Sequence, residues 1–421
     1  MVRMTKQCTA FDELPRADLL RVALETMHVG HLLDRALMPQ LFFATESFDA
    51  VDQVAIDEWM GASPVYTGRM RRLMKIEGDT VPAIVKALQL DCGFPHQYMD
   101  VGWTMIDDAS CEFYLRHCGA LLDVEPYGAE RVHGMCVTIE DPTFDATAYA
   151  TNPRARIRPL HRPPRVPADR LPHCHWTIRI DPANDPVGPA KNTQAVASLP
   201  LARIVNQRAP ERDDGWTDYA RDVVPEFKLG MLSSATLAAV AREFQMQEHL
   251  LSASAEMALV ERVGLEKARA VLLQQWGALG WRASERLAAT LGLANGGADA
   301  VARVLRLHAI LPPGFSRDVR VQGESVTLRL EPQNADLLDA EHPGWLGLAA
   351  RGEGLGIETA AQGVDPRARL EAIAVRAGGI EAEISVRASA EAAKIPKSAT
   401  FMKDSTATKF VFDTSAARLG S

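Results

Sequence analysis

Between Asp18 and Met38 apolar residues recur at helical spacing: Leu19, Leu20, Val22, Ala23, Leu24, Met27, Leu32 and Leu33. The pattern predicts a helix, with Asp18 as its cap and Pro39 marking its end. Shorter helices are expected over Val51 to Met60 and Gly68 to Leu73, parted by the turn sequence Gly61-Ala-Ser-Pro64, and a further one over Asp79 to Leu90. From Gln97 the period changes to two. Met99, Val101 and Trp103 alternate, as do Phe113, Leu115 and His117, which predicts strands and puts His117 on the buried face. A helix is expected from about Ala129 into Glu140, with Cys136 and Glu140 on one face. His173 to Asp181 returns to alternation. Cys174, Trp176, Ile178 and Ile180 share one face, and His173, His175 and Thr177 the other.

Asp181 to Asp214 is rich in Pro, Asn and Asp with weak periodicity and reads as a linker. Helices return from about Ser233 to Leu307, and a strand pattern spans Val319 to Leu330. This order echoes the first half. Ala83-Ile-Val-Lys-Ala-Leu-Gln-Leu90 matches Ala300-Val-Ala-Arg-Val-Leu-Arg-Leu307, and Pro95 falls on Pro312. Further on, Leu115-Arg116 matches Leu328-Arg329, Gly134 falls on Gly347, Glu140 on Glu353, and Pro153-Arg-Ala-Arg156 on Pro366-Arg-Ala-Arg369. The first matches share an offset of 217 and, after a four-residue shift, the later ones share 213, and such runs of constant offset are the mark of a duplication. The fold class expected is α+β: two tandem, diverged repeats, each with N-terminal helices followed by a small antiparallel sheet packed on helices. The divisions are 1–185, a ligand-rich repeat; 186–230, a linker; 231–392, a degenerate scaffolding repeat; and 393–421, an extended Lys/Thr/Ser-rich arm.

The repeat serves as a control on the chemistry. Eight of the eleven histidines and all six cysteines (Cys8, Cys92, Cys111, Cys118, Cys136, Cys174) precede Trp176. In the same alignment His117 becomes Leu330, His133 becomes Leu346, Cys136 becomes Ala349, and His173-Cys174-His175 becomes Val386-Arg387-Ala388. At these positions imidazole and thiol side chains thus occur in the first half alone, whereas Glu140 keeps a carboxylate partner in Glu353. Imidazole, thiolate and carboxylate are the usual ligands of zinc and iron. A divalent metal, iron or zinc, is therefore expected on His117, Glu140 and His175, with His173 and Cys136 in reserve. A metal-free site with Cys136 or Cys118 as nucleophile is the other arrangement these residues allow. Glu25-x-x-His28 has the spacing of a di-iron helix, but a second such motif is missing.

Net charge of −8 excludes a general nucleic-acid binder, and no apolar run is long enough to span a membrane. Without a signal peptide or paired cysteines, a cytoplasmic protein with reduced thiols is expected. Six arginines crowd the Pro-rich stretch from Arg154 to Arg170. They form either a solvated polyproline-like strand or a clamp for an anionic substrate, with Arg154 and Arg156 as contacts and Trp176 beside them. The sequence lacks G-x-G-x-x-G, Walker A and G-x-S-x-G motifs, which removes support for nucleotide and α/β-hydrolase chemistry.

Cys136-x3-Glu140-x3-Phe144, then Asn152-Pro153, then Cys174-His-Trp resembles the motif series of the L-2-amino-thiazoline-4-carboxylic acid hydrolase family, and more distantly the vinyl-reductase-type ligand-binding domain. The resemblance covers about Leu90 to Ile180. It implies a pocket between a curved sheet and helices, and hydrolysis of a small C–N or C–S bond, with Glu140 and Cys136 as the catalytic residues to test. Iron-dependent oxidation and non-catalytic sensing of a small ligand are the alternatives. A homodimer is compatible with both.

Overall fold

The computed structural model describes residues 10–402 except 207 and 377. Cys8 and most of the expected C-terminal arm lie outside the described residues.

The chain opens with two long helices, α1 (Arg16–Thr45) and α2 (Phe48–Met74), each with a proline inside. Pro64 lacks an N–H and frees the carbonyl of Met60, one turn back. Thr193 Oγ1 donates to that carbonyl at 3.1 Å, so the helix continues where a break is expected from sequence. After α3 (Val81–Leu88) come β1 (Met99–Asp107) and β2 (Ser110–Cys118). Next, α4 (Gly119–Val124) and α5 (Ala129–His133) lead into a π-helical turn over Gly134–Ile139, which continues as α6 (Glu140–Tyr149). Strands β3 (Ala155–His161) and β4 (Cys174–Ile180) complete an antiparallel sheet of order β1-β2-β4-β3.

The connection after β4 carries α7 (Thr193–Ser198) and is no detached linker. Val196, Leu201 and Tyr219 are fully buried in it, and Tyr219 donates its hydroxyl to Gln89 Oε1 at 2.8 Å. The second half repeats the order: α8 (Ser234–Val263), α9 (Leu265–Leu291), α10 (Gly297–Leu307), β5 (Phe315–Gln322), β6 (Ser325–Pro332), α11 (Trp345–Ala350), α12 (Leu355–Val364), β7 (Ala368–Arg376) and β8 (Gly379–Val386). Its sheet has the matching order β5-β6-β8-β7. The single strand pattern expected up to Leu330 is a hairpin that turns at Gly323. The start of the expected arm is folded as α13 (Lys397–Thr400), held on α9 by Arg282, which donates to Ala399 O at 3.0 Å. The protein is α+β with two similar halves.

The halves share one helical core. α1 lies along α8 and α9, and α2 along α8. α8 is buried along most of its length, so its polar side chains must find partners inside. Gln245 Nε2 donates to Leu307 O at 2.8 Å in its own half. Gln247 serves the other half, accepting from Cys92 N at 2.9 Å and donating to Leu90 O at 3.3 Å. Arg69 on α2 reaches both oxygens of Glu243 on α8, at 2.9 and 2.7 Å, with both side chains buried.

Side-chain bonds repeat along with the elements. His31 Nε2 meets Gly93 O at 3.0 Å, and Trp59 donates to Asp34 Oδ2 at 3.0 Å. In the second half His249 Nε2 meets Ala309 O at 2.8 Å, one residue before the counterpart of Gly93, and Trp276 donates to Ser252 Oγ at 2.9 Å. Gly93 N donates to Asp91 Oδ1, and Ile310 N to His308 Nδ1. The sheet register also corrects three alignments made from sequence, the match of Leu115-Arg116 to Leu328-Arg329 among them. Leu115 pairs with Cys174 and Phe113 with Trp176, while Leu330 pairs with Ile380 and Leu328 with Ala382. Leu330 is thus the counterpart of Leu115, not of His117. His173-Cys174-His175 is matched by Gly379-Ile380-Glu381 rather than by Val386-Arg387-Ala388. A gapless offset fails there because residues 162–173 join β3 to β4, whereas Arg376 pairs directly with Gly379 across a tight turn.

Candidate functional site

A cavity in the first half lies between the inner face of its sheet, α1, α2 and the π-turn leading into α6. Its cavity volume is about 110 Å³, of the order of apolar cavities that admit a single aromatic ring. Trp59, Phe94, Phe144 and Trp176 supply aromatic wall, and Met38, Met99 and Met135 adaptable wall. The π-turn decides which residue of the α5–α6 segment faces inward. An extra residue per turn rotates the downstream helix by roughly 100° relative to an unbroken α-helix. Ile139 and Glu140 then border the cavity, while Cys136 is packed in the sheet core.

Acids set the polarity of this apolar space. Glu140 Oε2 is shielded and has no hydrogen-bond partner among the described residues. Burial raises its carboxyl to about 8, against the pull of the Arg162 guanidinium. Asp34 is pushed up to about 7 by burial, moderated by the Trp59 N–H and by Arg35. Asp91 is raised to about 6 by burial, moderated by Gly93 N–H and Tyr66. Glu58 is fully buried, with both oxygens unpartnered among the described residues, and burial and the charge of Asp34 hold it well above the carboxylate range. Burial lowers His31 to about 4. Arg131, the lining guanidinium, is ion-paired with Asp52 at 2.9 Å.

A raised carboxyl favours folding in its neutral form. For Glu140 that contribution is fully present below pH 4.5 and is lost as pH rises through about 8. Glu140→Gln should therefore gain stability relative to the parent as pH rises across this window. Urea midpoints at pH 5 and pH 8.5 test this, and parallel profiles for the two proteins would refute it.

Of the residues singled out from sequence, Glu140, Trp176 and Cys174 border the cavity. Cys136 is buried, and burial followed by the charge of Glu140 pushes its thiol well up, opposite to what a nucleophile needs. Cys118 is raised to about 12 by burial, and its Sγ accepts from Leu121 N at the start of α4. Between Leu115 and His117, β2 carries an extra residue relative to β1. Past this bulge Cys118, not His117, continues the buried face. His117 instead sits beside the ring of His173, 5.7 Å away. His175 is on the outer face, 3.0 Å from Glu112 and edge-on to Tyr114.

The expected metal ligands do not fit one ion. Glu140 and His175 are on opposite faces of the sheet, and among the described residues no three His, Cys, Asp or Glu side chains are grouped to hold a metal. Glu25 is ion-paired with Arg286 at 2.6 Å, and His28 is buried against Tyr98, so this pair makes no di-iron half-site. Arg154 and Arg156 are structural. Arg154 donates to Pro182 O and Asn184 O, and Arg156 to Pro153 O, Ala155 O and Asp185 O. Arg369 makes the same set with Pro366 O, Ala368 O and Glu391 O. The Pro-Arg-Ala-Arg identity therefore records a brace kept in both halves.

Asp34, Trp59 and Asp91 were missed by the sequence reading. The signal was available: His31 and Trp59 recur as His249 and Trp276, while the acids Asp34 and Asp91 stand where the second half has Ser252 and His308. Among the described residues, Trp345 occupies the counterpart of this space in the second half. Trp345, 1% exposed, lies 5.4 Å from the Trp276 ring and donates Nε1–H to Ile310 O at 2.8 Å. A Cβ on Gly356 would stand 2.9 Å from its ring, so glycine is what admits the indole there. Gly280, whose Cβ would come within 2.6 Å of Gly356 O, lets α12 press onto α9. Comparison with family models, curated proteins and solved structures found no match to this chain. No helix of the described residues is long and apolar enough to cross a membrane.

Proposed function

We propose that the protein binds a small organic molecule in the first-half cavity, one per chain, with the second half as a filled scaffold. One observation carries this reading: a single duplicated frame is open in one copy and plugged by Trp345 in the other. Packed interiors leave few voids, so an open aromatic cavity in a copy whose sister is filled favours an occupant. A second reading is acid–base catalysis on that molecule. Glu140 borders the cavity with a carboxyl raised to about 8 by burial, so it can hold or release a proton near neutral pH. Hydrolysis, as the family resemblance implies, fits a general acid of this kind. No step is assigned to a metal, because the candidate ligands do not converge.

Met135→Trp is the test, since Met135 lines the cavity and a larger side chain there fills it. Across a panel of small aromatic and aliphatic molecules, those that raise the Tm of the parent should leave the variant unmoved. Equal shifts in both proteins would place binding elsewhere.

A further inference from the structure

Trp345 shows what the duplicated frame holds when it is full. Its indole contacts Trp276, Ile310 and Gly356. The counterparts of these residues are Trp59, Gly93 and Thr143, and all three line the open cavity. The helix starts, Gly128 before α5 and Gly344 before α11, both with positive φ, make Ala129 the counterpart of Trp345, and this small exposed residue leaves that space unfilled. Gly93 in place of Ile310 removes a whole side chain, which offsets the presence of Thr143 in place of Gly356.

The polar exchange between the copies says where a ligand's donor goes. Ser252 takes the Trp276 N–H with its one oxygen. Asp34 takes the Trp59 N–H with Oδ2 and keeps a second oxygen, Oδ1, shielded and unpartnered among the described residues. Glu140 Oε2 is in the same condition. Counter-charge for an anion is not open: Arg131 is paired with Asp52, and burial keeps His31 neutral. We infer that the cavity takes a planar aromatic molecule of one or two fused rings bearing a nitrogen with a hydrogen to donate, seated where the Trp345 indole sits in the second half. This class differs from the anionic substrate expected from the arginine cluster. The inference rests on the reading of the cavity as a ligand site and names the ligand's class.

Titration calorimetry of the full chain with indole, 1-methylindole and hexylamine tests it. Indole should bind once per chain. 1-Methylindole, which has the same shape without the N–H, should bind at least about tenfold more weakly, the worth of one hydrogen bond to a buried acid. Hexylamine, a donor without a ring, should also be weaker. Met135→Trp should abolish the indole site. Trp345→Ala should raise the stoichiometry to two by opening the second copy. Where that variant does not fold, Met135→Trp still locates the site. Hexylamine binding as tightly as indole, and blocked by Met135→Trp, would overturn the aromatic class while leaving a ligand site in place. Indole binding that survives Met135→Trp, or no binding of any of the three probes to the parent, would overturn the inference. The wider thermal-shift panel then decides separately whether the cavity binds anything.

Discussion

Trp345→Ala should cost about 3–5 kcal/mol of unfolding free energy, the range for deleting a large aromatic from a packed core. The expectation rests on three losses at once. The indole is almost wholly buried and packs on Trp276. Its removal strips Ile310 O of the Nε1–H it accepts. Gly356 has no side chain with which to refill the space, and α12 is already pressed on α9 through Gly280 and Gly363. Collapse around the void is therefore limited, which places the cost high in the range. Denaturant midpoints at unchanged slope are the measurement. A loss below about 1.5 kcal/mol, the level of a minor core trim, would show that Trp345 is not a tight plug.

Glu243→Ala should be comparably severe, about 3–5 kcal/mol, because it leaves the Arg69 guanidinium buried without its carboxylate. Asn206 Nδ2 also loses its acceptor on Glu243 Oε1. Arg69 keeps only Ala202 O, at 2.7 Å. The contrast that identifies the mechanism is the double change Arg69→Met with Glu243→Leu. Removing both charges together should recover much of the loss, since an apolar pair of similar volume is close to neutral. Equal losses for the single and double changes would mean that shape, rather than stranded charge, is what the pair provides. The bond joins α2 of one half to α8 of the other, so the same experiment measures how firmly the halves are clamped.

The class of fold was legible because the change of period, from helical to alternating, occurs twice in the same order. Phe48 to Met74 was misread as two helices because Gly61 and Pro64 look like a turn. What rescues the helix is Thr193, a residue distant in sequence. The site was legible in part. Glu140 and Trp176, both singled out from sequence, border the cavity. His175 does not, and its position opposite Trp176 in the alternation of β4 already set it against a ligand group containing Glu140. The bulge that turns His117 out is a register event between two strands and leaves no local trace. Asp34 and Asp91 escaped notice because their burial comes from helices packed by both halves. Only a comparison of the copies over the N-terminal helices, where Trp59 answers to Trp276, brings them forward.

The crossing of helices between halves also sets an order of events during synthesis. The inward faces of α1 and α2 are covered by α8 and α9, and the last of these ends at Leu291. At about 5–20 residues per second, a ribosome that has finished Met74 needs on the order of 10–40 s to reach that point. Throughout this interval Leu33, Leu37 and Met70 have no completed core to enter, so the nascent chain is a client for chaperones and a target for proteases. The walls of the cavity contributed by α1 and α2 take their final places only after translation of the later helices. A ligand of the proposed kind would meet a completed cavity only once the second half had been made.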